Sequence, residues 1–450
     1  MKKIKLVFGA LFGVLTILWL CAEQPWAQSY DNFFKIRSAV VDYTGFIAMG
    51  AMSLAMMLAI RPVTAEPWLG GLDKSYRLHK WLGISALVVG IVHWLWAEGV
   101  KWAVGWGWLE RPQRGPRPVI EEPIQRFFME MRHPAEQIGE WAFYAAAVLI
   151  LLALIKWFPY RYFFKTHRFI AIAYLTLVVH AVFLVKFQYW ADISPIAWVT
   201  ALLMAGGTIG AVLSLTRRIG HQRRALGRVE SVGHNADDQV LEINVLLPHD
   251  RWDGHDAGQF AFVSFDDGEG AHPFTISSAW KNDGRLRFHV KNLGDYTGAL
   301  PSELKADSPA TVEGPYGCFR FESDKPRQIW VGAGIGITPF IARMEELVHH
   351  STEQKPQSTI HLFYCTRNPA DTFIAHLQQL SEASGVTLRV MVDGRDGLLN
   401  AEKLCAEVPE WEEASLWFCG PTGFGHALRR GLAEHGYDTS HFHQELFEMR

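Results

Sequence analysis

The chain changes character about halfway along. Up to about residue 216, apolar residues run in long blocks with few charges, whereas beyond it short apolar–polar alternations are broken by Gly, Pro and charged turns. The hydrocarbon core of a bilayer takes about 20 apolar residues as helix. Six stretches reach that length, at roughly 4–22, 39–60, 79–97, 139–158, 167–186 and 195–216, and they predict a six-helix transmembrane bundle. The first, behind Lys2, Lys3 and Lys5, also has the outline of a signal peptide. Its length, the lack of a small-x-small cleavage site and the bulky Leu20 before Cys21 favour a retained helix.

Basic residues orient the bundle by the positive-inside rule. With the N-terminus inside, the inner segments carry Arg61, Lys74 and Arg77, then Arg161, Lys165 and Arg168, then Arg217, Arg218, Arg223 and Arg224. The outer loop at 98–138 dissents with Arg111, Arg114, Arg117, Arg126 and Arg132, but long loops weigh little in this rule. Six spans place both termini, and the whole second half, in the cytoplasm.

A basic linker from Thr216 to Gly227 leads into the alternating segment Val240–Leu246, and short strands with turn signals continue to about 322. That spacing predicts a small antiparallel β-barrel. The strand at Gln328–Val331 then meets a Gly-rich turn and a helix pattern, which predicts an α/β Rossmann-like domain. The expected division is 1–216, 217–325 and 326–450.

Composition narrows the field a little. A formal net charge of −3 offers no basic face for nucleic acid. The five cysteines, at 21, 318, 365, 405 and 419, form no CxxC and are odd in number, so neither a disulfide framework nor a zinc site is expected. They read as unpaired and mostly buried thiols in a reducing compartment, Cys419 apart.

Ionisable residues inside spans are costly and mark function. Four histidines fall in or at the ends of the spans: His79 and His93 on the third, His167 and His180 on the fifth. Both spans run from inside to outside. Separations of 14 and 13 residues are about 21 and 20 Å along a helix, so His79 comes level with His167 and His93 with His180. Two levels with one imidazole from each side is the arrangement that bis-His haem ligation requires. Buried packing of four matched histidines is the weaker reading. Thirteen residues leave His180 about 140° round the helix from His167, so the fifth span has to bend or present its ligands at different angles.

These His-x13-His and His-x12-His pairs resemble those of the ferric reductase and NADPH oxidase superfamily, in which a helical di-haem domain precedes a cytoplasmic flavoprotein module. The downstream motifs carry the resemblance further. His272-Pro273-Phe274-Thr275-Ile276-Ser277-Ser278 resembles the family's flavin-binding segment, with Pro273 and Phe274 shaping the isoalloxazine site and His272, Thr275, Ser277 and Ser278 as polar contacts. Lys291-Asn292-Leu293-Gly294-Asp295-Tyr296-Thr297 is similar to its pyrophosphate loop, with Lys291, Gly294 and Thr297 as contacts. Glu313-Gly314-Pro315-Tyr316-Gly317 resembles the turn joining the two soluble domains.

Glycines at a strand-to-helix turn let backbone approach a pyrophosphate, and Gly332, Gly334, Gly336, Thr338 and Pro339 lie in such a turn. Cys419-Gly420-Pro421 resembles the family motif beside the nicotinamide, making Cys419 a hydride-transfer neighbour. Arg367 is read either as an adenosine-phosphate ligand or as a solvated loop residue. Phe447 is read either as an aromatic stacked on the flavin or as a packing residue. Arg37 matches an arginine near the outer haem of the oxidases. Arg77, Lys80 and Arg168 either meet inner haem propionates or mark the cytoplasmic boundary.

The resemblance implies an NAD(P)H-dependent flavocytochrome b in a bacterial inner membrane, using NADPH or NADH, FAD and two haem b. Electrons would pass outward to an extracytoplasmic acceptor, ferric iron being the first choice. Superoxide-forming members tend to carry another His one turn beyond the outer ligand of the third span, where this chain has Ala97. A superoxide-generating oxidase, and a haem subunit serving a periplasmic protein partner, stay open as alternatives.

Overall fold

The computed structural model describes residues 2–30, 32–110, 120–155, 157–235, 239–265, 269–350 and 359–445. Packing divides the chain into a helical unit ending at Ile219 and a second unit beginning at Gly220, three residues beyond the expected boundary.

Six helices of the first unit are long and apolar enough to cross a membrane. Their helices are α1 (Lys2–Glu23), α2 (Phe33–Ala59), α3 (Leu72–Gly105), α4 (Pro123–Leu154), α5 (Ile170–Leu184), which reaches spanning length only together with the turns before it from Tyr162, and α6 (Pro195–Leu215). Asn32 and Ser194 cap α2 and α6 by accepting from the amides of Lys35 and Ala197, at 3.0 and 3.4 Å. Close crossings use small residues, as bundles in lipid do. A Cβ on Gly207 would lie 2.0 Å from the Tyr174 hydroxyl, and one on Gly210 would lie 2.5 Å from the Met56 carbonyl oxygen.

Two spans differ from expectation. The stretch 98–138 is not simply a loop, because α3 runs on to Gly105 and α4 starts at Pro123. Apolarity marks only the part of a helix that sits in hydrocarbon. The more polar turns beyond it keep their own backbone hydrogen bonds and continue the helix into water. Arg111, Arg114 and Arg117 lie outside the described residues. The fifth span is interrupted. A short helix, Tyr160–His167, ends just before α5, and tight i→i+3 bonds join them: Phe169 N to Thr166 O, Ala171 N to Arg168 O and Ile172 N to Phe169 O, at 2.9–3.0 Å. Each residue wound at three per turn adds about 20° to the ordinary 100°, so three of them rotate His180 back toward His167 by about 60°.

The second unit holds two sheets. Strands β1 (Arg224–Asn235), β2 (Val240–Leu246), β3 (Phe260–Ser264), β4 (His272–Thr275), β5 (Arg285–Lys291) and β6 (Pro309–Tyr316) form an antiparallel sheet in the order β4-β3-β6-β1-β2-β5. Its ends meet through an Ile276–Phe288 bridge and a bond from Ser277 N to Arg287 O at 2.8 Å, which nearly closes a barrel. Alternation along β2 sends Leu241, Ile243 and Val245 into the core. Helix α7 (Asp295–Glu303) follows β5.

Strands β7 (Arg327–Ala333), β8 (Thr359–Thr366), β9 (Thr387–Val392), β10 (Ala414–Cys419) and β11 (Phe442–Gln444) form a parallel sheet in the order β11-β10-β7-β8-β9. A 3-10 turn over Gly334–Ile337 leads from β7 into helix α8 (Thr338–His350).

Candidate functional site

Three of the four membrane histidines share one local design. His79 Nδ1 lies 2.9 Å from the Ala55 carbonyl, His93 Nδ1 3.0 Å from that of Val41, and His180 Nδ1 2.8 Å from that of Ala135. A carbonyl only accepts, so Nδ1 carries the proton and Nε2 keeps its lone pair, the tautomer in which imidazole binds a metal. His93 Nδ1 also sits 3.2 Å from the Thr44 hydroxyl. His167 differs, because its Nδ1 is buried with no hydrogen-bond partner among the described residues.

Each holding carbonyl is followed four residues on by a small residue: Gly45 after Val41, Ala59 after Ala55 and Gly139 after Ala135. At the outer level this is a close fit. A Cβ on Gly45 would meet His93 Cε1 at 3.0 Å, and one on Gly139 would meet His180 Nδ1 at 1.9 Å.

His79 and His167 face each other with ring centroids 5.9 Å apart and planes at 66°. That gap is close to the roughly 6 Å needed by two imidazoles on one metal through bonds of about 2 Å. Helix α5 packs along α4, while α3 does not pack along α5 among the described residues. The two histidine-bearing helices therefore approach each other through side chains such as His79 and His167 rather than along their backbones. Among the described residues no cluster of three or more His, Cys, Asp or Glu is placed to hold a metal ion by itself. The donor set is thus imidazole pairs, which fit a group that brings its own equatorial ligands.

Arg37 reaches α3, where Nε bonds the Trp96 carbonyl at 3.1 Å and Nη2 that of Ala97 at 2.8 Å. The structure thereby joins two positions singled out separately in the sequence.

In the second unit the flavin motifs converge. The ring of His272 stacks on Tyr296 with centroids 3.9 Å apart and planes at 12°, bringing the β4 segment against the start of α7. Phe274 packs partly buried against the barrel core, and Pro273 pairs with Phe262 across the sheet. Open space lies beside Gly294, where a Cβ would touch nothing within 4 Å. The Thr297 hydroxyl accepts from the amides of Leu293 and Gly294, at 2.9 and 3.2 Å, and so holds that loop's shape. Ser277 and Ser278 turn inward. Ser277 Oγ donates to the Arg287 carbonyl at 2.9 Å and lies 2.8 Å from His289 Nδ1, while Ser278 Oγ accepts from Arg287 N at 3.1 Å.

The nicotinamide motifs converge as well. Gly332 pairs with Cys419 across β7 and β10. A Cβ on Gly336 would lie 2.2 Å from the Cys419 carbonyl oxygen, and one on Gly420 would lie 2.7 Å from Ala333 Cβ. Thr338 Oγ1 closes the turn on the Ile335 carbonyl at 3.0 Å, just before Pro339 in the first turn of α8. Pro421 directly precedes the helix Thr422–Glu434, whose first turn follows Gly420. A cleft between the barrel and this turn is lined by His289, Lys291, Gly334, Thr338, Tyr364 and Thr366. Arg367 is held beside it by Asp393 (Nε to Oδ2, 3.1 Å), with its side chain 83% exposed. Phe447 lies outside the described residues.

Cys419 is fully buried. Burial first, and then the Glu445 carboxylate, holds its thiol well above the usual range. Glu445, only 4% exposed, was missed by sequence reasoning. Its Oε1 lies 3.2 Å from where a Gly317 Cβ would sit, so it joins the interdomain turn to the Cys-Gly-Pro segment. The nearest signal was a lone carboxylate between the aromatic residues Phe442 and Phe447. The expectation of mostly buried cysteines is corrected. Among the described residues no disulfide joins them, but Cys21 is exposed and Cys318, Cys365 and Cys405 are half-buried. Helix surfaces and strand ends leave a small side chain partly open even when its neighbours pack.

Residues 44–178 match the family described as ferric reductase like transmembrane component, and residues 230–326 match an FAD-binding domain family. The chain thus carries a ferric-reductase-like transmembrane part followed by an FAD-binding part, and its six apolar helices are those of a multi-pass membrane protein. The reductase subunit of stachydrine N-demethylase from Rhizobium meliloti (strain 1021) is 28% identical over 224 residues, covering 46% of this chain and 62% of that one. Respiratory burst oxidase homolog protein B of Solanum tuberosum is 24% identical over 288 residues, covering 56% of this chain and 32% of that one. The chain spans 55% to 62% of the length of the curated relatives it matches first. Among solved structures, the FAD/NAD binding domain of nitric oxide dioxygenase from Vibrio cholerae O1 biovar El Tor aligns at TM-score 0.41 with 20% identity, covering 49% of this chain and 97% of that domain.

Proposed function

We propose that this ferric-reductase-like protein carries electrons from cytoplasmic NADPH or NADH, through FAD and two bis-histidine haems, to an extracytoplasmic acceptor, with ferric iron as the acceptor. The observation that carries the reading is the shared Nδ1-to-carbonyl design of His79, His93 and His180, together with the 5.9 Å spacing of His79 and His167. His79 and His167 hold the inner haem, and His93 and His180 the outer one. Bound haem supplies a one-electron site at each level.

The chain itself fixes each imidazole before anything binds. The carbonyls of Ala55, Val41 and Ala135 set the tautomer, and Gly45 and Gly139 let the outer rings lie against neighbouring helices. Arg37 places a cation at the outer level. On the soluble side, bound FAD would supply hydride acceptance from a nicotinamide and single-electron release. The Gly334–Thr338 turn and Lys291 receive the dinucleotide phosphates, and Cys419 and Gly420 lie beside the nicotinamide. Glu445, buried next to Cys419, excludes water there and holds the C-terminal segment over the site. His272, Pro273, Phe274 and Thr275 wall the flavin. The motif likeness also assigns Ser277 and Ser278 to the flavin; with their hydroxyls bonded inward, they serve it by shaping the strand. Arg367, beside the cleft, meets the adenosine end, and Phe447 covers the flavin.

The test is anaerobic reduction of ferric citrate by NADPH and by NADH, using purified protein carrying haem and FAD. Steady ferrous production supports the reading. Negligible iron reduction with rapid superoxide formation in air replaces it with an oxidase.

A further inference from the structure

The basic linker of the sequence divides in two in the structure. Arg217 and Arg218 stay with the helical unit, whereas Gly220 to Arg224 are fastened to the barrel at one carboxylate. Glu313 is only 3% exposed. Its Oε2 accepts from Arg224 Nε at 3.0 Å, and its Oε1 accepts from the Tyr316 hydroxyl at 3.0 Å. Arg224 and Glu313 also face each other in the β1–β6 register. The preceding residue adds a second hold, because Arg223 Nη1 donates to the Pro315 carbonyl at 2.7 Å and its guanidinium lies over the Tyr316 ring at 5.3 Å. Gly220, at φ 68°, passes so close that a Cβ there would sit 2.0 Å from Glu313 Oε1.

A buried carboxylate this close to one arginine and one hydroxyl is strongly penalised when a partner is lost. The arrangement is therefore closed or open, with little between. Its position gives it leverage. Helix α6 ends at Leu215, the amides of Thr216, Arg217 and Arg218 bond back to its Val212, Ser214 and Leu213 carbonyls, and the fastened segment starts at Gly220, so little free chain lies between. Opening the fastening adds 220–223 and lengthens the tether by four residues, about 14 Å at full reach.

We propose that Glu313 is a positioning residue: by clamping Gly220–Arg224 it keeps the tether between membrane and flavin domains short, and so sets the rate at which electrons leave the flavin for the membrane half. The inference rests on the proposed electron path. Effective concentration falls roughly as the −3/2 power of linker length, so lengthening the tether by four residues slows that transfer by about threefold or more.

The experiment uses the full chain with haem and FAD in nanodiscs, as wild type, Arg224→Ala, and a variant with Gly-Ser-Gly-Ser inserted between Ile219 and Gly220. Stopped-flow absorbance after mixing with NADPH reads flavin bleaching and haem reduction separately, and hydrogen exchange reads the amides of 220–223. The clamp predicts flavin bleaching within about twofold of wild type in both variants, and haem reduction slowed about threefold or more. Faster exchange at 220–223 is expected in Arg224→Ala. Equal loss of both steps assigns Glu313 to folding alone and overturns the proposal, as does unchanged haem reduction once those amides exchange freely. Wild-type protein that bleaches flavin but never reduces haem refutes the electron path, and the exchange arm then decides whether the clamp exists.

Discussion

His180 lies in a notch that only glycine leaves open: a Cβ on Gly139 would stand 1.9 Å from its Nδ1, on the same helix whose Ala135 carbonyl holds that nitrogen at 2.8 Å. Hold and notch are one turn apart. Gly139→Ala must therefore push the imidazole off its carbonyl or force α4 and α5 apart, which close-packed helices resist. The expected outcome is loss of the outer haem, from two haems per chain to one by quantitative absorbance, with FAD content unchanged. Gly45→Ala, where the contact would be 3.0 Å, should give the milder version: both haems bound, the outer one spectrally altered.

Gly336 has a similar relation to Cys419. The 2.2 Å approach to the Cys419 carbonyl oxygen means that Gly336→Ala separates the two nicotinamide motifs by an ångström or so. Misplacement of that size costs about 10²-fold when it lies between reacting partners. Flavin bleaching by NADPH should slow by about that factor, with haem and FAD contents unchanged, as read by anaerobic stopped-flow absorbance.

Burial, and behind it Glu445, raises the Cys419 thiol well above its ordinary 9.0. An acid with a raised value stays protonated through neutral and moderately alkaline pH, so at the proposed nicotinamide site the thiol is neutral and supplies no thiolate. The rate of flavin bleaching should show no inflection between pH 7.5 and about 9 that Cys419→Ser removes. An inflection lost in that variant would give the cysteine a titrating role.

Glu242 carries the clearest acid-side signature. Its hydrogen bond to His289, ahead of opposing burial, lowers its carboxyl from 4.5 to about 2. A depressed carboxylate adds stability above its unfolded value and loses it as pH falls toward the folded one. The barrel's contribution from this pair is therefore full above about pH 4.5 and gone near pH 2. In thermal melts followed by flavin fluorescence, wild type should lose more melting temperature between about pH 5 and pH 3 than Glu242→Gln. Parallel losses would show the pair to be idle.

Much of this architecture was legible in the chain. Blocks of apolar residues gave six spans, because hydrocarbon punishes any unpaired backbone and forces helices of a set length. The 13-residue spacing of His167 and His180 called for either a bend or ligands at different angles, since a regular helix turns them to different faces, and the helix is interrupted at Arg168–Phe169. The extension of α3 and α4 beyond the apolar blocks was not legible, because polar helix in water carries no hydropathy signal. Nor were the carbonyls of Ala55, Val41 and Ala135, which belong to every residue alike and gain meaning only when helices pack. Glu445 escaped notice, and Glu313 was read only as part of a turn, for the same reason: a carboxylate shows its importance through burial, which one sequence does not display. The Gly-rich turn and Cys419-Gly420-Pro421 were both visible, yet only the β7–β10 pairing put them in contact.

Anaerobic addition of NADPH to purified protein carrying haem and FAD, followed by absorbance, tests the central claim most directly. Flavin bleaching should be followed by the appearance of reduced bis-histidine haem, two per chain, falling to one when either His93 or His180 is replaced by Ala. Purified protein that binds no haem, or haem that stays oxidised while the flavin is fully reduced, would contradict it.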